Sequence, residues 1–223
     1  MDLSFYKNKV VLITGHTGFK GSWLSKILII NGAKVVGCSL EPPTNPNLFS
    51  YLELDKQMVS IIGDVRDLNK LNEVFDKYQP EIVLHLAAQP IVRTSYEEPV
   101  YTYDVNVMGT VNVCECVRRH PCVKSFLNVT TDKVYENDDI PDHPFKEDEK
   151  LDGYDPYSNS KSCSEIVTHS YYKSFLKEHG VAVSTARAGN VIGGGDFSKD
   201  RIIPDAARAL KEGKELIIRN PTS

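Results

Sequence analysis

Three glycines, spaced three residues apart, lie between the first apolar run of the chain and its first helical pattern. They are Gly15, Gly18 and Gly21, and the apolar run before them covers residues 9–14. In a strand–loop–helix unit the first glycine permits a tight turn, the second lets the backbone approach a pyrophosphate, and the third lets the helix lie close to the strand. Free N–H groups at the start of the helix attract phosphate. This arrangement predicts a dinucleotide site at the first strand–helix turn.

Apolar runs alternate with helical patterns along the rest of the chain. Further strands are predicted at 34–39, 59–62, 82–87, 125–130, 181–186 and 216–218, and helices at 20–31, 67–78, 99–119, 156–179 and 203–211. The strands are continuously apolar, which is typical of sheets covered on both faces. The pattern predicts an α/β protein with a doubly wound, mostly parallel sheet of the Rossmann type and helices on both faces.

The bulk composition argues against several classes of partner. The net charge is −4 and the sequence has no basic block, so we expect no nucleic-acid or membrane partner. No apolar run approaches the roughly 20 residues of a spanning helix, and the N-terminus lacks a signal-peptide pattern, so a cytoplasmic location is expected. The five cysteines include no C-x-x-C pair, which favours reduced, packed thiols and no metal site.

Residues that follow the second and third strands bear on the choice of dinucleotide. NAD enzymes often place an acidic residue at the end of strand two, where this chain has Ser39, with Glu41 two residues later. His16 and Lys20 could meet a 2′-phosphate, so the residues favour NAD but leave NADP open. Asp64 could accept from the adenine amino group or serve only as a turn residue. Other expected cofactor contacts are Thr17, Phe19, Val65, Leu86, Ala87 and Ala88.

Tyr157 and Lys161 form a Tyr-x-x-x-Lys pair in the predicted helix 156–179. The i,i+4 spacing places both side chains on one helix face. The Lys161 ammonium is expected to lower the pKa of Tyr157 from about 10 toward neutrality. Tyrosinate could then take a hydroxyl proton while hydride leaves for nicotinamide, and Lys161 could also hold the nicotinamide ribose. Both residues are therefore candidates for catalysis and for cofactor binding.

Polar residues also follow the predicted strand 125–130, which ends in Thr131, Asp132 and Lys133. The carboxyl ends of the strands carry the site of a doubly wound sheet. Asp132 is therefore a candidate general acid, and Thr131 a candidate hydroxyl partner for the substrate. A strand-end turn that happens to be polar is the alternative.

Together these motifs resemble the extended short-chain dehydrogenase/reductases over the whole chain. Within that superfamily, residues 15–24, 42–44, 130–137 and 187–196 resemble the CDP-glucose 4,6-dehydratases. The resemblance implies an NAD-dependent enzyme that converts CDP-glucose to CDP-4-keto-6-deoxyglucose without net redox. Lys133 separates the chain from dTDP- and GDP-sugar dehydratases, which usually have Thr-Asp-Glu here. Another nucleotide-sugar 4,6-dehydratase or a 4-epimerase remains a rival.

The resemblance also implies residue roles. Tyr157 would deprotonate the C4 hydroxyl while the C4 hydride passes to NAD, and Asp132 would protonate the hydroxyl that leaves C6. Lys133 occupies the position of the base that removes the C5 proton in related dehydratases, and it is either that base or an electrostatic stabiliser of the enolate. The remaining substrate contacts are expected from Gln89 to the hexose, and from Asn190 and Arg201 to the diphosphate.

Domains and assembly follow from the same resemblance. We expect an NAD-binding domain at 1–186 and, at 187–223, the start of a nucleotide-sugar-binding lobe whose remainder, with an Arg-Pro-Trp segment, is missing. Members of the superfamily dimerise through two long helices, so a homodimer through the Tyr157/Lys161 helix and helix 99–119 is expected. From its acidic, proline-containing composition, the segment 136–155 is predicted to be a loop over the active-site edge, with a merely solvated loop as the alternative. A non-catalytic dinucleotide sensor and an inactive truncated scaffold are the alternatives.

Overall fold

Six parallel strands form one sheet in a computed structural model that describes residues 2–137 and 143–218. The strands are β1 Val10–Thr14, β2 Lys34–Ser39, β3 Val59–Ile62, β4 Ile82–His85, β5 Ser125–Val129 and β6 Ala182–Ala186. Their order is β3-β2-β1-β4-β5-β6. The order reverses between β1 and β4, which is the switch point where open α/β sheets bind ligands. The predicted fold class is confirmed.

Helices connect these strands. They are α1 Phe19–Ile30, α2 Leu48–Tyr51, α3 Leu68–Tyr78, α4 Val92–Glu97, α5 Pro99–Tyr103, α6 Gly109–Arg119, α7 Pro156–Tyr171 and α8 Ile202–Glu212. Both predicted long helices form, and each contains a π-helical segment, at Asp104–Met108 and Tyr172–Leu176. Among the described residues, no helix combines the length and apolar character needed to cross a membrane.

Apolar side chains on both faces of the sheet explain why the strands read as unbroken apolar runs. In β1, Leu12 packs into the core on the α3 and α6 side with Phe75 and Val113. Its neighbours Val11 and Ile13 pack on the opposite side with apolar residues of α1. Successive side chains of a strand point to opposite faces, so a strand covered on both sides needs apolar residues at every position.

The predicted last strand at 216–218 is wrong. These residues pair with no strand in the described part of the chain, and the Ile217 side chain is 83% exposed. An apolar triplet carries too little periodicity to distinguish a paired strand from an exposed extended segment. The sheet therefore ends at β6.

Candidate active site

The glycine loop bends at the carboxyl end of β1. Gly15 has φ of +78°, and a Cβ there would lie 2.8 Å from the backbone nitrogen of Ala87. A Cβ at Gly21 would lie only 2.1 Å from the carbonyl oxygen of Gly15, whereas at Gly18 the nearest atom is that same oxygen at 3.4 Å. The fold itself therefore requires Gly15 and Gly21, while Gly18 leaves open space at the start of α1.

Alanine at these positions should separate folding from binding. We expect Gly21→Ala to lower the free energy of unfolding by about 3 kcal/mol, because its methyl group must displace backbone. We expect Gly18→Ala to change it by less than about 0.5 kcal/mol but to weaken dinucleotide binding, since the methyl enters the open space. Urea unfolding and equilibrium dinucleotide titration measure the two effects. Equal stability losses in both variants would contradict this division of roles.

His16 points into the protein instead of toward a ligand. Its ring is fully buried, its Nε2 lies 2.7 Å from Ser60 Oγ, and it fills the space above Gly37, where a Cβ would meet the ring at 2.2 Å. Burial lowers the pKa of His16 to about 4. The expectation that His16 could meet a 2′-phosphate is therefore wrong, because the ring is neutral and turned away.

A cavity of about 390 Å³ lies beside the ends of β2 and β3, and Thr17 is part of its wall. The Thr17 hydroxyl lies 2.9 Å from Ser39 Oγ and donates to the Leu40 carbonyl at 2.8 Å. The charged residues that line the cavity are Glu41, Glu53, Asp55 and Lys56. Acidic groups thus outnumber basic ones there.

The polar groups that follow β3 form hydrogen bonds with other residues of the protein. Asp64 accepts from the Arg66 backbone N–H at 2.9 Å and from Arg66 Nη2 at 2.7 Å, and these contacts lower the pKa of Asp64. Val65 is buried against α6, where a Cβ at Gly109 would lie 2.7 Å from it. Asp64 thus makes the contacts of a turn residue, and the Val65 side chain belongs to the core rather than to a surface open to adenine.

A buried histidine, His85, lies at the end of β4 and is hydrogen-bonded on both ring nitrogens. His85 Nδ1 lies 2.7 Å from Thr14 Oγ1, and His85 Nε2 lies 3.2 Å from Thr110 Oγ1. Thr14 Oγ1 also accepts from the backbone N–H groups of Leu86 and Ala87, each at 3.2 Å. These contacts hold the half-buried segment 86–88 beside the glycine loop. In the sequence, the one indication of this role is that a histidine ends the otherwise apolar run Ile82–His85.

Tyr157 and Lys161 both lie on α7, but their electrostatics differ from the expectation. Lys161 is 3% exposed and its Nζ donates to the Val129 carbonyl at 3.0 Å. Burial, with a contribution from Lys20, lowers the pKa of Lys161 to about 8. Burial raises the pKa of Tyr157, against the opposing effects of a hydrogen bond with Thr131 and of the Arg201 charge. The predicted lowering of the Tyr157 pKa by Lys161 is therefore wrong for the protein by itself.

Thr131 joins Tyr157 to Asp132. Its side chain acts on the Tyr157 hydroxyl by lowering the pKa of Tyr157, and its own hydroxyl donates to Asp132 Oδ1 at 3.0 Å. The Asp132 backbone N–H donates to the Ala188 carbonyl at 3.1 Å, while the Asp132 side chain is exposed. The structure therefore brings together three predicted residues from two separate elements. Lys133 is exposed and forms no ion pair with the residues that the structure describes.

Arg201, Lys20 and Lys161 are neighbouring cations on this side of the site. Burial lowers the pKa of Lys20, with a contribution from Arg201, and Lys20 in turn contributes to the lowered pKa of Lys161. Arg201 also opposes the rise of the Tyr157 pKa. Arg201 has one acidic neighbour among the described residues, Asp196, at 4.0 Å. This excess of positive charge suits an anion such as a diphosphate. Asn190, the other predicted diphosphate contact, lies exposed in the segment between β6 and α8.

Gln89 is placed differently from the expectation. Its side chain is 6% exposed, its Nε2 donates to Thr102 Oγ1 at 2.9 Å, and its Oε1 accepts from the Ile91 N–H at 2.7 Å. Asn106 also hydrogen-bonds with its backbone. Gln89 thus fixes the turn after β4, and in this arrangement its amide points into the protein and not toward a hexose.

The predicted cover over the site is described only in part, because residues 138–142 lie outside the described residues. Its two flanks meet through an antiparallel bridge between Tyr135 and Leu151. The Tyr135 ring stacks on Phe145 with centroids 4.7 Å apart. The described flanks are therefore tied to the exit of β5.

Comparison with known proteins identifies the family. The profile of the family described as GDP-mannose 4,6 dehydratase matches residues 12–220. The chain belongs to this family. It is 49% identical, over 228 residues, to the CDP-glucose 4,6-dehydratase of Salmonella typhimurium, which confirms the resemblance inferred from the four sequence segments. The match covers 100% of this chain and 63% of that enzyme, so the chain spans less than two thirds of the relative's length.

Solved structures of similar enzymes share the fold. UDP-glucose 4-epimerase from Thermus thermophilus, solved with NAD, superposes with a TM-score of 0.80 at 26% sequence identity. The superposition covers 93% of this chain and 64% of the epimerase chain. dTDP-glucose 4,6-dehydratase from Bacillus anthracis, also solved with NAD, gives 0.78 at 25% identity, with 93% and 63% covered. Epimerases and dehydratases thus use the same sheet and helices.

Proposed function

We propose that this chain carries the cofactor-binding and catalytic part of an NAD-dependent CDP-glucose 4,6-dehydratase. The observation that carries the proposal is the grouping of Tyr157, Thr131 and Asp132 at the carboxyl edge of the sheet, where Thr131 and Asp132 act on the pKa of Tyr157 and the Thr131 hydroxyl donates to Asp132. A dehydratase needs a base at C4 and an acid at C6, whereas an epimerase has no use for the acid. The identity of 49% to a CDP-glucose 4,6-dehydratase supports CDP-glucose as the substrate.

NAD is proposed as the cofactor, and NADP as the poorer ligand. Acidic residues predominate in the cavity beside Thr17, where they would repel a 2′-phosphate. His16 is buried and neutral, so it offers no charge to such a phosphate. Two relatives of 25% and 26% identity were solved with NAD. Gly15, Gly18 and the start of α1 would hold the pyrophosphate.

Each residue of the site has a separate role in the proposed reaction. Bound NAD supplies a hydride acceptor and donor. Tyr157 takes the proton of the C4 hydroxyl, and Thr131 holds that hydroxyl close to it. Asp132, exposed beside Thr131, donates a proton to the C6 hydroxyl as it leaves. Lys20 and Arg201 bind the diphosphate. Lys133, as the neutral amine, takes the C5 proton, and the ammonium that forms stabilises the developing enolate charge until the C6 hydroxyl leaves as water.

The assembly and the domains belong to the same proposal. Exposed apolar side chains on the long helices support a homodimer through them, for example Val100 at 82%, Met108 at 49% and Ile166 at 55% exposed. We retain the division into a cofactor domain at 1–186 and the start of a substrate lobe at 187–223, and a cytoplasmic location. Sedimentation equilibrium of the chain tests the dimer.

Substrate profiling tests the function. The protein is supplied with NAD and with CDP-glucose, dTDP-glucose or GDP-mannose in separate reactions, and the alkali-induced absorbance of a 4-keto-6-deoxy sugar is measured. We expect this product from CDP-glucose alone. A 4-epimerised sugar without keto product would favour an epimerase. Bound NAD with no product from any of the three sugars would contradict the dehydratase and favour a sensor or an inactive scaffold.

A further inference from the structure

A buried ion pair lies one helical turn beyond Lys161 on α7. Arg187 donates to the Glu165 carboxylate through Nε at 2.8 Å and through Nη2 at 2.6 Å. The two side chains are 16% and 4% exposed. The hydroxyls of Thr130 and Thr185 donate to the same carboxylate. Glu165 thus gathers donors from the exits of both β5 and β6.

The pair is connected directly to the proposed catalytic residues. Thr130 immediately precedes Thr131 and Asp132. The pairing of β5 with β6 continues past the ends of the strands, because Thr130 N–H donates to the Ala186 carbonyl at 2.8 Å and Asp132 N–H to the Ala188 carbonyl at 3.1 Å. Arg187 lies between these two acceptor residues, and its side chain crosses to α7. The exit of β5 is therefore held from β6 and from the helix that carries Tyr157.

The other side of Arg187 holds the segment that follows the site. Arg187 Nη1 donates to Tyr135 Oη at 2.8 Å and to the Glu147 carbonyl at 2.9 Å. Its guanidinium carbon lies 4.9 Å from the centre of the Tyr135 ring, which stacks on Phe145. One guanidinium thus joins α7, the β5 exit and the described flanks of the cover.

Glu165 is ionised in this environment. Burial by itself would raise the pKa of Glu165, but the hydrogen bonds from Arg187 and Thr130 outweigh it and hold that pKa below its usual value. A buried ion pair adds little net stability compared with apolar side chains of the same size, although loss of one partner leaves a costly unpaired charge. Its best-attested use is to specify one arrangement of the surrounding chain.

We propose that Glu165 and Arg187 are positioning residues, whose ion pair holds Thr131 and Asp132 at the exit of β5 in register with Tyr157 on α7. Neither side chain needs to touch a reacting atom. Both act through Thr130 and through the backbone pairing of Asp132 with Ala188. The expected effect on turnover rests on the proposed function, whereas the expected effect on amide hydrogen exchange at Asp132 does not.

Glu165→Gln tests the proposal with two independent measurements. Amide hydrogen exchange at Asp132 should become at least about tenfold faster because the β5 exit opens locally, while the amides of β1 and α1 keep their protection. The kcat for CDP-glucose should fall about 100-fold, the loss that a misplacement of about 1 Å produces. NAD affinity should fall much less than kcat, because the glycine loop does not contact the pair.

Glu81→Gln is the matched control. It breaks another carboxylate–cation pair, with Lys9 at 3.4 Å, at the opposite end of the sheet, and it should alter neither measurement.

If Glu165→Gln does not fold, Thr185→Val replaces it in the test. This variant removes one donor to Glu165 but leaves the ion pair, so smaller losses of Asp132 amide protection and of kcat are expected. Unchanged protection at Asp132, or parallel losses of turnover and NAD affinity, would overturn the proposal. An unsubstituted protein without turnover would contradict the proposed function, and the exchange result would still decide the positioning role.

Discussion

Tyr157→Phe is expected to lower the turnover of CDP-glucose by about 10³-fold, within the range that a positioned acid–base group contributes. The substitution removes only the phenol oxygen, which would receive the C4 proton. The ring keeps its place on α7, and the Thr131 hydroxyl keeps its donor contact to Asp132 Oδ1 at 3.0 Å. NAD affinity should therefore change little. Steady-state kinetics at saturating substrate and calorimetric NAD titration measure the two quantities.

Tyr103→Phe provides the control for this experiment. Tyr103 is another half-buried tyrosine, and its hydroxyl donates to Asn159 Oδ1 on α7 at 3.0 Å. Its removal costs one hydrogen bond to α7 but touches no residue of the proposed site, so turnover should be retained. Retained turnover in Tyr157→Phe would remove the hydroxyl from the role of base. Equal losses in both variants would mean that the effect comes from the packing of α7.

Stability is expected to fall by about 4 kcal/mol between pH 7.5 and pH 5.0 because two histidines are buried in their neutral form. Burial lowers the pKa of His16 to about 4 and that of His85 to about 3, from an ordinary value of 6.5. As the pH falls below 6.5, the two histidines become protonated in the unfolded chain but stay neutral in the folded protein. The stabilisation is therefore fully present above that pH and is lost toward the folded pKa values, at about 1.4 kcal/mol per pH unit for each histidine. This loss is a large share of the roughly 5–15 kcal/mol that stabilises a typical domain.

Urea unfolding at the two pH values measures this loss. The interval lies above the titration range of ordinary carboxylates, so the histidines dominate the change. His16→Asn should reduce the pH dependence by about half, since one of the two buried rings is then gone. His169→Asn, which replaces an exposed histidine of α7, should leave it unchanged. A free energy of unfolding that is the same at both pH values would contradict the burial of neutral rings.

Local patterns were sufficient to predict most of the fold. The predicted β2 and β3 coincide with the observed strands, and Asp67, the first residue of the predicted helix 67–78, caps α3 by accepting from the Lys70 N–H at 3.0 Å. Strand runs, helix caps and turn glycines act over a few residues, so their signals are present in the sequence itself. The order of strands around the first glycine loop then brings Thr131 and Asp132 beside Tyr157, since parallel strands end at one edge of the sheet.

The sequence by itself determined the type of sheet, the position of the glycine loop and the set of residues that gather at the edge. Only the tertiary structure decided which way individual side chains point and what charge they carry. His16 and Gln89 turn inward because neighbouring strands and helices offer them buried partners. Glu165 and Arg187, 22 residues apart along the chain, become partners because α7 packs over the exits of β5 and β6. Burial and long-range pairing set the charge state of a group, and neither is encoded in the residues next to it along the chain.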